Sequence, residues 1–261
     1  MDSEYIYNLD YDEINNYNNN KNIIILLITL LIVSIILSFK LRNVTTYFIT
    51  IFIFVLIIII KYQIYWFRKI FDKITDDNYK IIQIDSFLTN NECDELINIS
   101  NNYTFNDSMI VNTNGNEKTD YRNSKQIWLN DNVSPIVKKI SNVTEIMTNL
   151  PKKNMEELQM VKYDTSGYFK QHYDPYVDDP NSNIRDRIYT ILIYLNDVEE
   201  GGETYFNNLN ISIKPKKGTC VLFKSLLSDN TVLKKSLHQG MSVLKGNKII
   251  CNKWVHIKKF N

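Results

Sequence analysis

QMVKYD (159–164), YFKQHYD (168–174) and RIYTILIYLND (187–197) open a series of short apolar or alternating runs. ETYF (203–206), ISIKPKKGTCVLF (211–223), LHQGMSVLK (237–245) and KIICNKWVHI (248–257) continue it. Asp-Pro, Gly-Gly, Lys-Gly and Gly-Asn turn signals separate the runs, and several short strands at this spacing predict a β-sandwich or barrel. RIYTILIYLND is apolar enough along its whole length to be a central strand. Upstream, FLTNNECDELINIS (87–100) predicts a capped helix, with Asn90 or Asn91 as cap, Glu92 and Asp94 in the first turn, and Leu96 and Ile97 starting the apolar face. MTNLPKKNMEEL (147–158) is expected to be helical around its proline. The soluble part, residues 81–261, therefore reads as one α+β domain.

The first 80 residues differ in kind. Residues 1–21 are polar, acidic and Asn-rich, the composition of a disordered tail. Two apolar runs follow, 22–39 and 44–60, separated by a loop carrying Lys40 and Arg42. At ~1.5 Å per residue each covers roughly 25–27 Å, and neither has a polar face, so one or two N-terminal transmembrane helices are expected. Residues 61–80 combine aromatic and basic side chains as an interfacial, juxtamembrane helix would. Lys61, Arg68, Lys69 and Lys73 outnumber the basic residues of the loop and favour a cytoplasmic C-terminal domain if both runs span.

Bulk properties exclude some classes of function. A net charge of +1 over 261 residues gives no basic field for nucleic acid. The Asn-x-Ser/Thr matches at Asn98, Asn102, Asn106, Asn132, Asn142 and Asn210 arise readily in an Asn-rich chain. Cys93, Cys220 and Cys251 have no zinc spacing. Buried free thiols are the favoured reading, although Cys220 and Cys251 could pair if their strands are neighbours.

The chain has only three histidines, His172, His238 and His256. His172 and Asp174 form an H-x-D on one candidate strand, so their side chains should leave the same face. His238, on a later strand, could complete a face of two imidazoles and one carboxylate. Such a face holds iron(II) and leaves open positions for a bidentate oxo-acid and for O2, which a four-ligand cage would not. Lys248 follows His238 by ten residues across a Lys-Gly-Asn-Lys turn. Facing inward, its cation would need an anion, and the distal carboxylate of 2-oxoglutarate would supply one. Strict hairpin pairing would put His238 and Lys248 on opposite faces, so a bulge or twist is required to bring them together.

The motifs H-x-D, Y-L-N-x-V-x-x-G-G-E-T-x-F, P-x-x-G and H-x-G-x-x-V-x-x-G-x-K, then a tryptophan six residues on, occur in order from 172 to 254. In that order, over about residues 81–257, the chain resembles the prolyl 4-hydroxylase family of Fe(II)/2-oxoglutarate-dependent dioxygenases. The resemblance implies a double-stranded β-helix, or jelly roll, with flanking helices. It implies His172, Asp174 and His238 as iron ligands and Lys248 as the partner of the 2-oxoglutarate carboxylate. It further implies Tyr163 and Thr204 as residues that help hold that co-substrate and Trp254 as a pocket wall. Arg187 and His256 match positions that meet peptide, and Arg122 and Ser124, in Y-R-N-S, match an Arg-x-Ser near the site's mouth. Gly201 and Gly202 are expected to serve a tight turn beside Thr204. Phe169 stands where many of these enzymes have tyrosine, a departure that bears on substrate contact and not on the iron.

The implied reaction uses Fe2+, 2-oxoglutarate and O2, with L-ascorbate keeping the iron reduced. It converts peptidyl proline to 4-hydroxyproline with release of succinate and CO2. The implied partner is a peptide or protein, proline-rich or collagen-like, beside the membrane. The same chemistry on lysine or another peptide side chain, a jelly-roll binding module without catalysis, and a membrane scaffold are the alternatives. The family lean is toward the endoplasmic-reticulum lumen, against the basic-residue count.

Overall fold

The computed structural model describes residues 5–41, 48–59, 74–112, 115–117, 120–176, 182 and 184–260. The chain divides into two compact units, one made of Met1–Tyr11 and Ile74–Asn261, the other of Asp12–Lys73.

The first unit opens with β1 (Ile6–Asp10). The second is helical, with α1 running Tyr11–Leu41 and α2 over residues 48–59. After it come β2 (Ile81–Asp85), α3 (Asn90–Ser100), β3 (Asn106–Asp107), β4 (Ile110–Asn112), β5 (Gly115–Glu117), β6 (Arg122–Asn123) and β7 (Lys125–Leu129). Then follow α4 (Pro135–Thr148), β8 (Leu158–Tyr163), β9 (Tyr168–His172), β10 (Arg187–Tyr194), β11 (Glu200–Gly201), β12 (Thr204–Phe206) and β13 (Ile211–Ile213). The chain finishes with β14 (Cys220–Lys224), β15 (His238–Gly240), β16 (Val243–Lys245) and β17 (Lys248–His256).

Two sheets carry the architecture, one of eight strands in the order β1-β2-β14-β10-β17-β8-β7-β3 and one of five in the order β13-β12-β15-β9-β6. Alternate residues explain why they face each other. Val161 and Tyr163, Leu192 and Tyr194, and Val221 and Phe223 leave one face of the larger sheet. They share a buried cluster with Phe206, Ile211 and Ile213 of the smaller sheet. Each fully buried large side chain here contributes about 1.5–3 kcal/mol. On the opposite face Met160, Ile191, Ile193, Leu222 and Cys251 are buried too, so the central strands are apolar throughout, as RIYTILIYLND predicts. This is the sheet-rich, jelly-roll-like fold expected.

Several expectations are corrected. Among the described residues no helix is long and apolar enough to cross a membrane, so the N-terminal transmembrane helices are not upheld. The polar 1–21 segment is not a free tail: Ile6–Asp10 adds a parallel strand to β2, and α1 starts at Tyr11. The juxtamembrane expectation falls mostly on 60–73, outside the described residues. Thr89, not Asn90 or Asn91, caps α3, in a capping box with Glu92. No α-helix runs through Pro151. Instead α4, capped by Ser134 with Pro135 in its first turn, ends before Asn149, whose φ of 55° breaks it, and a 3-10 turn covers Lys152–Asn154. Cys220 and Cys251 both lie opposite Ile193 on β10, one on each side, so a whole strand separates them and all three cysteines are free and buried.

Candidate active site

His172, the last residue of β9, pairs across the smaller sheet with His238, the first of β15. Asp174 does not share the strand, as the H-x-D spacing had suggested: it lies in the bend that follows, and that bend swings its carboxylate back beside the two rings. The Asp174 Oδ1 atom is 3.8 Å from His172 Nε2 and 4.0 Å from His238 Nε2. One ligand atom from each of the three falls within 4.8 Å of the others, the spacing of groups that share one metal ion.

Their other atoms are already committed. Nδ1 of His172 faces the Lys170 carbonyl at 2.8 Å and Nδ1 of His238 the Ser236 carbonyl at 2.9 Å. A carbonyl only accepts, so each Nδ1 carries the hydrogen and each Nε2 keeps a lone pair for a cation. Asp174 accepts a hydrogen bond on Oδ2 from the Thr190 hydroxyl, which leaves Oδ1 toward the rings. Burial, with the neighbouring His238, pushes the His172 imidazole down to about 3, so it is neutral near pH 7. Burial alone would raise Asp174, but the imidazoles of His238 and His172 and the Thr190 hydroxyl outweigh it and hold the carboxyl below its usual range. The set fits a divalent cation on the chemistry of its donors. Replacing Thr190 by valine frees Oδ2 and should weaken Mn(II) binding, read by electron paramagnetic resonance, by about 10–100-fold.

Behind the triad lies a small inner pocket lined by Tyr163, Thr204, Lys248, Asn252 and Trp254. The hairpin conflict between His238 and Lys248 dissolves because they sit in different sheets. β15 pairs with β12 and β9, whereas β17 pairs with β10 and β8, and the two sheets face one another across the pocket. No bulge is needed. Lys248, 2% exposed, reaches in past Gly202 and ends near Gly240, with its Nζ 5.4 Å from the Tyr163 ring and 5.8 Å from the Tyr194 ring. Among the described residues no carboxylate forms an ion pair with it. Burial pushes its amine down to about 7, with Glu203 opposing weakly. Tyr194 donates to Thr204 Oγ1 at 2.7 Å and fixes that hydroxyl in the pocket wall. Gly201 and Gly202, both with φ of 74°, make the tight turn beside Thr204; a Cβ on Gly201 would meet the Ser242 carbonyl at 2.3 Å.

The triad opens outward into a cleft of about 1040 Å³. Phe169 stacks on the His172 ring, centroids 3.6 Å apart, and the Arg122 guanidinium lies 4.5 Å from the Phe169 ring centre.

Residues 158–256 match the family described as the 2OG-Fe(II) oxygenase superfamily. Prolyl 4-hydroxylase 2 of Arabidopsis thaliana is 32% identical over 200 residues, covering 68% of this chain and 67% of that one. The viral collagen prolyl hydroxylase vCPH from Paramecium Bursaria Chlorella virus-1, solved as a 2OG complex, superposes with a TM-score of 0.57 at 32% identity. That match covers 69% of this chain and 97% of the viral one. The chain belongs to the prolyl 4-hydroxylase family. A prolyl hydroxylase from Trichoplax adhaerens, 16% identical with a TM-score of 0.53, shares the fold.

As a prolyl 4-hydroxylase-like dioxygenase the protein uses Fe2+, 2-oxoglutarate and O2, with ascorbate typical of the family. Of the residues expected to meet peptide, Arg122 and Arg187 line the cleft. Ser124 stands behind Arg122, accepting from its Nε at 2.8 Å. His256 does not line the cleft: its two ring nitrogens face Glu156 and Asp186 at 2.8 and 2.7 Å, and it is 1% exposed. Glu156, which also takes Arg187 Nη2 at 2.8 Å, was missed by the sequence reading, as were Thr190 and Tyr194. The signal for the last two was present, because Thr190, Leu192 and Tyr194 alternate onto one face of a strand otherwise apolar.

The Lys248 amine yields a proton prediction. Its folded value lies below the ordinary 10.5, so the unfolded chain binds more protons between about pH 7 and 10, and folding stability from this group rises with pH there. A dianion in the pocket restores the ammonium. Binding of 2-oxoglutarate at pH 8 should therefore take up close to one proton per site, and less at pH 6. Calorimetry in two buffers of different ionisation enthalpy measures this, and an uptake near zero at pH 8 would contradict it.

Proposed function

We propose that this chain hydroxylates proline in a peptide, with His172, Asp174 and His238 holding iron and Lys248 anchoring the distal carboxylate of 2-oxoglutarate. The observation that carries the reading is the buried Lys248 amine, without an ion-pair partner among the described residues, in a pocket that shares His172 and Asp174 with an open cleft. Bound iron and 2-oxoglutarate together supply an oxidant able to hydroxylate an unactivated C–H, with succinate and CO2 released. The chain's own residues do the rest. Lys248 and Thr204 orient the co-substrate, Thr190 aims Asp174, and the aromatic walls around Phe169 and Trp254 keep water from the reacting atoms. The cleft gives a peptide room to lie across the metal face.

Glu156 bears on the choice between proline and lysine. A lysine side chain in the cleft would call for a free carboxylate, but both Glu156 oxygens are already engaged by Arg187 and His256. An uncharged ring suits the apolar floor made by Phe169. The test is mass spectrometry and amino-acid analysis after incubating the protein with Fe(II), 2-oxoglutarate, ascorbate and proline-rich or lysine-rich peptides. 4-Hydroxyproline formed with succinate is the expected result. Succinate with hydroxylysine would replace the substrate, and no peptide-dependent succinate would sink the enzymatic reading.

A further inference from the structure

Three primary amides form a continuous chain across the larger sheet. Asn252 on β17 donates through Nδ2 to Gln159 Oε1 at 3.1 Å, and Gln159 on β8 donates through Nε2 to Gln126 Oε1 on β7 at 2.6 Å. The register places them side by side: Asn252 lies opposite Gln159, while Gln126 lies opposite Val161, two residues along β8. Lys248, Ile250, Asn252 and Trp254 alternate onto one face of β17 and all line the inner pocket. Gln159 and Gln126 line the outer cleft. The chain of amides thus begins beside the site for the co-substrate and ends where a peptide would lie.

Its members are not interchangeable with ordinary surface amides. Asn252 and Gln159 are 7% and 3% exposed, so water cannot substitute for a lost partner. An amide has one accepting oxygen and one donating NH2, so joining three in series gives all three a common direction. Turning one over breaks a buried hydrogen bond unless the others turn with it. Two groups at the ends take no part in the chain and face the two sites: the oxygen of Asn252 at the inner pocket and the NH2 of Gln126 in the cleft.

We propose that Asn252, Gln159 and Gln126 are positioning residues that couple the two sites, with Gln126 presenting its NH2 to a carbonyl of the peptide backbone. This rests on the prolyl-hydroxylase reading of the cleft. Occupation of the inner pocket fixes the Asn252 end, that fixes the Gln126 donor, and peptide binds more tightly. By reciprocity, peptide must tighten 2-oxoglutarate by the same factor.

The experiment is an anaerobic titration of the full-length, Fe(II)-loaded protein, with anisotropy of a fluorescein-labelled proline decamer as the readout and 2-oxoglutarate absent or saturating. In the wild type 2-oxoglutarate should tighten peptide binding by about fivefold or more. Gln159→Leu should bring that factor close to one, and Gln126→Ala should do the same while weakening the peptide in both states. Gln126 is only half-buried, so its variant keeps the test decisive if Gln159→Leu misfolds. A wild-type protein without coupling, or variants that keep it, would overturn the proposal. Peptide-dependent succinate release by the wild type in air reports separately on the prolyl-hydroxylase reading.

Discussion

Asp174→Ala should leave the protein folded and without measurable turnover. Loss of partners that merely orient a metal ligand costs roughly 10–100-fold, and loss of the one anionic ligand should exceed that. The carboxylate is also the group that the site strains to keep ionised. Burial would raise it, and the two imidazoles, the Thr190 hydroxyl and the Arg187 charge together hold it below the usual carboxylate range. Without metal the alanine variant should melt somewhat lower than the wild type, because the folded site favours the ionised carboxyl and the Thr190 hydroxyl loses its acceptor. With metal the two should separate further. A ligand at about one hundred times its dissociation constant stabilises the wild type by ~2.7 kcal/mol, and the variant should show no such gain. Thermal melts with and without Mn(II), alongside succinate release, measure both halves. A variant that still gains stability from metal would mean the cation sits elsewhere.

Lys248→Met should have the second-largest effect, confined to the co-substrate. Removing one member of a buried charge pair costs about 2–5 kcal/mol, so the KM for 2-oxoglutarate should rise on the order of 100-fold or more. Metal binding should be unchanged, since Lys248 contributes no atom to the triad. Methionine fills nearly the same volume without a desolvated amine, so the metal-free variant should be at least as stable as the parent at neutral pH. Initial rates against 2-oxoglutarate concentration, with the metal titration as control, separate the outcomes. An unchanged KM would remove Lys248 from the anion site.

Much of this site was legible in the amino-acid sequence because its parts are marked by rarity and order. Three histidines in the whole chain, two of them in recognisable spacing, leave few ways to assemble a metal face. The strands were legible because alternation is local. What failed was whatever depends on partners distant in the chain. Whether His238 and Lys248 could point into one cavity cannot be read from the turn between them, since the answer lies in their belonging to opposed sheets. Glu156 looks like one of two ordinary glutamates in MEEL until Arg187 and His256 arrive from other strands to neutralise it. His256, assigned to the peptide by resemblance, is drawn behind the cleft by the same pairing. The polar residues before α1 read as tail because composition says nothing of an edge strand that finds β2 across the intervening helices.

The central claim is that His172, Asp174, His238 and Lys248 together form one site for iron and 2-oxoglutarate. An anaerobic titration of the Fe(II)-loaded protein with 2-oxoglutarate tests it most directly. Chelation of the keto-acid end by iron should give a visible charge-transfer band that saturates at one equivalent per chain, is absent in Asp174→Ala, and needs far more 2-oxoglutarate in Lys248→Met. A wild-type protein that binds Fe(II) yet develops no such band, or variants that titrate like the wild type, would contradict the account.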